Sequence, residues 1–561
     1  MKQFTFKSDD LVGDYIEGLI ASNPNVIALP HQVVVAKEAL SSEKVKLISG
    51  GGSGHEPTHA GMIGRGMLDA AAIGNIFASP STSQVSRAIE AVESGQGTIL
   101  IVKNYTGDVL HFGLAAEKAQ SAGKDVRTLI VGDDVSVPRS QGTIVGRRGL
   151  AGVVLVHKVC GAASLAGWTL ERVLNLGKAV ASNLATMAVS LDHCVVPNKP
   201  FSTELLPTQY EIGLGIHNES GVFKRDLPAV VGNILDADVM PTLLDGNDKE
   251  RAFVEFQNND EIALLVNNLG GLSNFEIGVI TKQVLQRLQQ FKVLRVYSGT
   301  FTTAFNGYGF SITLLNCRNC PAEVIQLLDA PTDAPGWAIP PHSDVCVVLP
   351  EFTNAAIEHT TKVSLSADFH LSLDRGLRAL IAAEPQITEF DTIAGDGDCG
   401  ETLRTGASSL LDMMNYGNLC ISDGARCFSQ IAEVVDEKMG GTSGGLYSIF
   451  LTAFARNLSE YETFDITSAS NSASAALEVL LNYTKAQAGD RTLLDVLIPF
   501  IDGLKGGNVT AALQHAKKGL DETKRMKAKA GRAAYVGDGS LDVPDPGAYG
   551  LFELLSGCLN K

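Results

Sequence analysis

The sequence predicts two units of different class: an α/β unit over residues 1–330 and an all-α unit over residues 359–561, with a proline-rich run at 331–358 between them. Three observations carry this. In the first part, short apolar runs end in glycine turns and alternate with helical patterns, the order that builds a mainly parallel sheet. After about residue 360 those runs vanish and apolar residues recur with a 3.6-residue period. A chain of 561 residues, 45% of them hydrophobic, also supplies more than one core.

Six runs of the first unit read as strands ending in loops: 45–51 (VKLISGG), 97–107 (GTILIVKNYTG), 126–134 (VRTLIVGDD), 210–217 (YEIGLGIH), 261–271 (EIALLVNNLGG) and 293–301 (VLRVYSGTF). Residues 110–124 and 275–291 read as helices between them. In such sheets ligands bind beyond the carboxyl ends of the strands, where the polar–glycine clusters of this chain fall. The 331–358 run holds Pro331, Pro335, Pro340, Pro341 and Pro350, a density that excludes regular structure and marks a linker. Beyond it, 371–385, 400–417, 424–441, 472–489, 492–507 and 509–531 follow the helical period, with glycine or polar breaks.

The formal net charge is −17, from 45 Lys and Arg against 62 Asp and Glu. That balance disfavours a general binder of nucleic acid or anionic membrane. A small anionic ligand stays compatible, because local amides and metal ions hold phosphate whatever the net charge. Nine cysteines, an odd number scattered through apolar stretches, suit a reducing compartment. Cys317 and Cys320 have no partner pair and do not suggest zinc. The N-terminal stretch shows no apolar signal core, and no apolar run reaches the roughly 18 residues of a membrane span. A cytoplasmic protein is expected.

Several loops carry chemistry. At 389–402 (EFDTIAGDGDCGET), Asp391, Asp396 and Asp398 fall within eight residues, and Gly395 and Gly397 let the backbone turn so that the carboxylates converge. Such carboxylates repel unless a cation sits among them, and hard oxygen ligands suit Mg²⁺ with phosphate oxygens completing its shell. An EF-hand does not fit the spacing; a helix-capping Asp-Gly turn does. At 439–448 (MGGTSGGLYS), small residues with free amides precede a helical pattern, which suits a phosphate cradle or close helix packing. The stretches 488–495 and 536–550 are polar loops that wrap a nucleoside or only connect helices. In the first unit, 49–61 (SGGGSGHEPTHAG) places His55 at the tip of a glycine loop, 102–113 supplies Lys103 and Asp108, and 213–221 (GLGIHNESG) places His217 between glycines. Singly these read as a cap, an ion pair and a strand-end histidine. Together they are strand-end loops able to converge on one crevice.

The motifs SGGGSGHEPTHAG, KNYTGD, GIHNESG, AGDGDCGET, GGTSGG, GDRTLLD and DPGA, in this order over nearly the whole chain, resemble the single-chain ATP-dependent dihydroxyacetone kinases of the glycerone/triose kinase family. The resemblance implies an α/β substrate domain of two subdomains, a linker, and a barrel of antiparallel helices that holds nucleotide. It implies that His217 attacks the substrate carbonyl and holds it as a hemiaminal, for which a neutral imidazole nitrogen is a suitable nucleophile. Gly52, Ser53, Gly54, Lys103 and Asp108 would bind the hydroxyls, and His55 and Asp108 would polarise or deprotonate the attacking one. Asp391, Asp396 and Asp398 would hold two Mg²⁺ on the triphosphate of ATP, with Thr442 and Ser443 on phosphate. Cys399, Gly400, Glu401 and Thr402, then Arg491, Thr492 and Leu493, then Asp545, Pro546 and Gly547 would line the nucleotide. The resemblance further implies a homodimer with its active site shared between chains. It leaves open D-glyceraldehyde as a substrate and a side activity that cleaves FAD to AMP and cyclic FMN. A non-catalytic ligand sensor on the same substrate fold is the rival reading.

Overall fold

The computed structural model describes residue 6 and residues 10–141, 146–197, 205–228, 230–340, 363–529 and 542–559. The chain divides into two compact units, residues 1–347 and 348–561.

The first unit holds two six-stranded sheets. Its strands are β1 (Val26–Leu29), β2 (Val33–Ala36), β3 (Lys46–Ser53), β4 (Ala70–Ile76), β5 (Thr98–Lys103), β6 (Val126–Val131), β7 (Leu184–Ser190), β8 (Gln209–Ile212), β9 (Phe223–Asp226), β10 (Glu261–Asn268), β11 (Lys292–Gly299) and β12 (Gly309–Asn316). Its helices are α1 (Leu11–Ser22), α2 (Thr82–Val92), α3 (Thr106–Ser121), α4 (Val153–Leu165), α5 (Leu170–Ser182), α6 (Val231–Ile234), α7 (Met240–Leu244), α8 (Asn274–Leu285) and α9 (Val324–Asp329). The first sheet runs β1-β2-β4-β3-β5-β6 and the second β11-β10-β12-β7-β8-β9. One apolar cluster fills the first sheet and reaches one face of the second through Ala263, Leu265 and Tyr297, and a second cluster covers the other face of the second sheet through Ile262, Leu264 and Val266.

All six strands read from the sequence are present, and so is the α/β class. Strand direction differs between the sheets. In the first, β4, β3, β5 and β6 are parallel neighbours. In the second, only β10 and β11 pair in parallel, and the other pairs are antiparallel. The cause is local. The α8 crossover joins β10 to β11, whereas β8 and β9 form a hairpin whose loop is the His217 stretch.

The start of the proline-rich run needs correction. Residues 331–340 are not a free linker: Ala334 and Trp337 are buried in the first core, and the Gly336 amide donates to Gly61 O at 2.8 Å. Trp337 packs on Tyr297 and Phe301 with ring centroids 4.9 and 5.6 Å away, and that apolar anchor outweighs the disorder that prolines favour. The remainder of the run, 341–358, lies outside the described residues.

The second unit is helical among its described residues: α10 (Ala367–Ala382), α11 (Glu384–Ala394), α12 (Cys399–Asn415), α13 (Gly424–Lys438), α14 (Gly441–Leu458), α15 (Ile466–Leu481), α16 (Leu494–Lys505), α17 (Val509–Thr523) and α18 (Pro546–Leu559). Neighbours pack in the order α10, α12, α13, α14, α15, α16, α17, α18, and α18 closes on α10, so eight helices form a ring with α11 beside it. The ring encloses an apolar cavity of about 340 Å³ walled by residues such as Leu403, Phe428 and Leu497. Among the described residues, no helix is long and apolar enough to cross a membrane.

Candidate active site

In the first unit, β3 and β5 are adjacent and parallel, so their carboxyl ends deliver the His55 loop and Lys103 to the same edge. Asp108 lies in the first turn of α3, just past β5. The β8–β9 hairpin loop brings His217 to this edge: its Nε2 lies 3.0 Å from His55 Nε2. The expected trio of loops therefore meets. Gly52 lies where a Cβ would press on the Ala78 amide at 2.7 Å, and Gly54 lies against the Phe77 ring at 2.6 Å from its own Cβ position. The Ser53 hydroxyl donates to Gly74 O at 2.7 Å, so it braces the loop from within.

Among the described residues, the buried atoms here without a hydrogen-bond partner include Lys103 Nζ, Asp108 Oδ1 and the Tyr105 hydroxyl. Burial pushes the Lys103 amine down to about 8, against the opposing pull of Asp108 and Glu219. Burial raises the Asp108 carboxyl, although a Ser79 hydrogen bond and the Lys103 ammonium act against it. Burial, then Lys103 and His217, push the His55 imidazole well below the ordinary range. Unsatisfied buried donors and acceptors are costly, and they fit a ligand that carries hydroxyl and carbonyl groups.

Sequence reasoning missed the groups that hold His217. Glu219 Oε1 lies 2.7 Å from His217 Nδ1, and Glu219 Oε2 accepts the His217 amide at 2.9 Å. Burial raises the Glu219 carboxyl, but the hydrogen bonds and charge of His217 outweigh it and hold it down at about 2. Phe77 and Tyr105 stand edge-on to the imidazole, with centroids 5.2 and 4.8 Å away. Thr303 O meets His55 Nδ1 at 2.8 Å. The signal for Glu219 was present, as an acid two residues after the histidine in one turn; the aromatics come from other loops and leave none.

In the second unit, Asp391, Asp396 and Asp398 each offer a carboxylate oxygen, and these lie within 4.8 Å of one another. The capping alternative fails for Asp398: it occupies the N-cap of α12 yet makes no side-chain cap bond. Asp391 instead accepts the Cys399 amide at 3.0 Å. Thr442 and Ser443 lie in the first turn of α14, whose N-cap Gly440 brings no side-chain cap. Gly444 is required there, since a Cβ would collide with Met439 O. Burial, then Asp391, Asp545 and Asp398, push the Cys399 thiol up to about 12 against a hydrogen bond with Ser443. The α12 and α14 N-termini and Asp545 are thus neighbours. Burial raises the Asp545 carboxyl to about 6, with Asp495 and Asp391 adding to it against the Ala548 amide and Arg491. A cation beside these carboxylates relieves both effects.

The remaining expected residues differ in kind. Arg491, 1% exposed, donates to Thr523 O at 3.1 Å and Val543 O at 3.0 Å and keeps Nη1 unpartnered. The Thr492 amide donates to Asp495 at 2.8 Å, and Leu493 is core. Gly400 is buried against α11 at Thr388, whereas Glu401 is exposed and pairs with Arg404 at 3.6 Å. Thr402 donates its amide to Asp398 O at 3.0 Å. Pro546 and Gly547 open α18 instead of extending the polar loop; residues 536–541 of that loop lie outside the described residues.

An α/β unit with unpartnered buried polar atoms beside a histidine pair, fused to a helical ring that carries a carboxylate cluster, is the class this fold defines. The Dak1 domain family matches residues 17–336 and the DAK2 domain family residues 393–560. The chain is 43% identical to a dihydroxyacetone kinase of Pichia angusta over 99% of this chain and 98% of that one. It is 44% identical to dihydroxyacetone kinase 2 of Saccharomyces cerevisiae over 99% of both, and 37% identical to the triokinase/FMN cyclase of Homo sapiens over 97% of this chain and 96% of that one. Among solved structures, the dihydroxyacetone kinase of C. freundii, native and in complex with AMP-PNP and Mg2+, matches with TM-score 0.65 and 32% identity over 99% of both chains. The chain belongs to the dihydroxyacetone kinase family.

Proposed function

We propose that the chain is an ATP-dependent kinase that phosphorylates dihydroxyacetone, and D-glyceraldehyde as a further substrate, while His217 holds the carbonyl carbon as a hemiaminal. The observation that carries this is the set of unpartnered buried atoms Lys103 Nζ, Asp108 Oδ1 and Tyr105 Oη around a clamped imidazole. A three-carbon hydroxyketone supplies acceptors to the ammonium and a donor to the carboxylate. A covalent anchor also selects against glycerol, which has no carbonyl for His217 to attack. Asp108, its basicity raised by burial, is the group suited to take the proton of the attacking hydroxyl.

The residues of the second unit fit Mg²⁺ and a triphosphate. Asp391, Asp396 and Asp398 would hold two ions, and the amides and hydroxyls of Thr442 and Ser443 would meet phosphate at a helix N-terminus. When bound, nucleotide and metal supply the phosphoryl group and neutralise its charge. Their presence in the C. freundii enzyme supports this reading. The protein works as a cytoplasmic homodimer in which the substrate unit of one chain serves the nucleotide unit of the other, since neither unit carries both halves of the chemistry. A second activity, cleavage of FAD to AMP and cyclic FMN at the same metal site, is supported by the human triokinase/FMN cyclase relative.

A dihydroxyacetone kinase operon co-activator matches 58% of this chain, 28% identical with TM-score 0.53, and represents the sensor reading. The carboxylate cluster of the second unit favours the kinase. ADP release that depends on dihydroxyacetone is the expected result. AMP release from FAD alone would leave only the lyase, and no turnover of either would leave the sensor.

A further inference from the structure

The hydrogen bonds of the His217 ring specify its protons. His55 Nδ1 faces the carbonyl oxygen of Thr303 at 2.8 Å. A carbonyl only accepts, so His55 carries its proton on Nδ1 and, as a neutral ring, presents a lone pair at Nε2. That lone pair faces His217 Nε2 at 3.0 Å, so His217 donates there. On the other side, His217 Nδ1 faces Glu219 Oε1 at 2.7 Å, and a carboxylate only accepts. With His55 neutral, both His217 nitrogens are thus placed to donate, one to His55 Nε2 and one to Glu219 Oε1. The neighbouring groups agree: burial keeps His55 neutral, and Glu219 stays ionised.

The hairpin is built to bring a carboxylate here. Glu219 accepts both the ring and the amide of His217, and its own carbonyl accepts the Gly215 amide at 2.8 Å. Gly215 has no Cβ; one there would collide with Glu219 Oε2 and lie 2.7 Å from an Arg148 nitrogen. Arg148 is itself anchored, with Nε on Asp134 at 2.8 Å and Nη2 on Gly213 O at 2.6 Å. The other titratable groups that face Glu219, His217 or His55 include Lys103, Asp108, Tyr105, Cys194 and His59.

We propose that Glu219 is a positioning residue that keeps His217 doubly protonated at rest and serves as the counter-ion of the covalent adduct. This rests on the reading of His217 as the covalent anchor. The proton on His217 Nε2 passes to His55 Nε2, which frees the Nε2 lone pair. That pair forms the bond to the carbonyl carbon as the C=O π pair moves to oxygen, and His55 returns the proton to that oxygen. The product is an Nε2-alkylated imidazolium with a hydroxyl on the carbinol carbon. Nδ1–H stays on Glu219, and the net charge of the site is unchanged throughout.

The test uses the full chain with ¹⁵N-labelled histidine, the His217 signals being assigned by their loss in His217→Ala. At pH 7 the wild type is expected to show both His217 nitrogens protonated, and Glu219→Gln only one. Glutamine offers a single acceptor where ring and amide need two, so the dihydroxyacetone adduct seen by intact mass should fall at least about tenfold. Glu219→Asp, which keeps the charge, should recover part of the adduct. An adduct at the wild-type level in Glu219→Gln, or a singly protonated His217 in the wild type, would overturn the proposal. A wild type with no adduct at all, yet a doubly protonated ring, would instead refute the covalent reading beneath it.

Discussion

Lys103 is held at a cost, and replacing it by methionine should expose that cost. The side chain is 1% exposed, its ammonium has no hydrogen-bond partner among the described residues, and burial lowers the amine from 10.5 to about 8. A depression of that size corresponds to about 3 kcal/mol of folding stability forgone. The sign follows from proton counts. Below about pH 8 both native and unfolded chains carry the proton, and the whole penalty is present. Between about 8 and 10.5 the unfolded chain binds a proton that the native chain lacks, so wild-type stability rises with pH. Lys103→Met removes the penalty at every pH. The attractions of Asp108 and Glu219 are already contained in that net depression, and imperfect repacking around the methionine takes back part of the gain. The expected difference is therefore about 1–3 kcal/mol in favour of the mutant at pH 7, closing as pH approaches about 10.5. The chain has two tryptophans, Trp168 and Trp337, both packed on the first core, so urea unfolding read by tryptophan fluorescence follows the first unit. The mutant should also lose turnover. A mutant less stable than the wild type at pH 7, or a gap that does not change with pH, would refute the reasoning.

Other consequences are as direct. Gly215→Ala should displace Glu219 and cut adduct formation by about tenfold or more, with unchanged ATP binding, measured by intact mass and calorimetry. Asp396→Asn should abolish ATP turnover and leave the adduct intact; Mg²⁺-ATP at 100 times its Kd should stabilise the wild type by about 2.7 kcal/mol and the mutant by far less. Gly444→Ala should disturb the start of α14 and weaken ATP binding without touching dihydroxyacetone binding. If, as proposed, two chains share their sites, exchange between His217→Ala and Asp396→Ala dimers makes about half of them mixed, each with one intact site, and activity should return to roughly a quarter of wild type. Dead mixtures, with exchange confirmed by native mass spectrometry, would exclude the shared site.

The sequence was most legible where glycine loops follow apolar strands. The strands at β3, β5, β6, β8, β10 and β11 all show that pattern, and the three loops that meet at His55, Lys103 and His217 were readable from it. Elements buried on both faces were not. β4 (AAAIGNI) has the composition of a helix, and α4 is buried nearly all round, so neither carries a period. α18 went unread because its first residues, Pro546 and Gly547, look like a turn, although proline is well suited to open a helix. Trp337 made part of a core from what its prolines mark as linker. In the site, side-chain roles set by tertiary contacts, such as Arg491 tying Thr523 to Val543, had no local signature.

The central claim is that a histidine, not a lysine, holds the substrate, and Lys103 with its lowered basicity is the natural competitor for that role. Intact-protein mass spectrometry after mild treatment with dihydroxyacetone separates the two. A hemiaminal on His217 adds the whole substrate mass and disappears in His217→Ala. An adduct lighter by one water, lost in Lys103→Met and retained in His217→Ala, would be a Schiff base and would contradict the account.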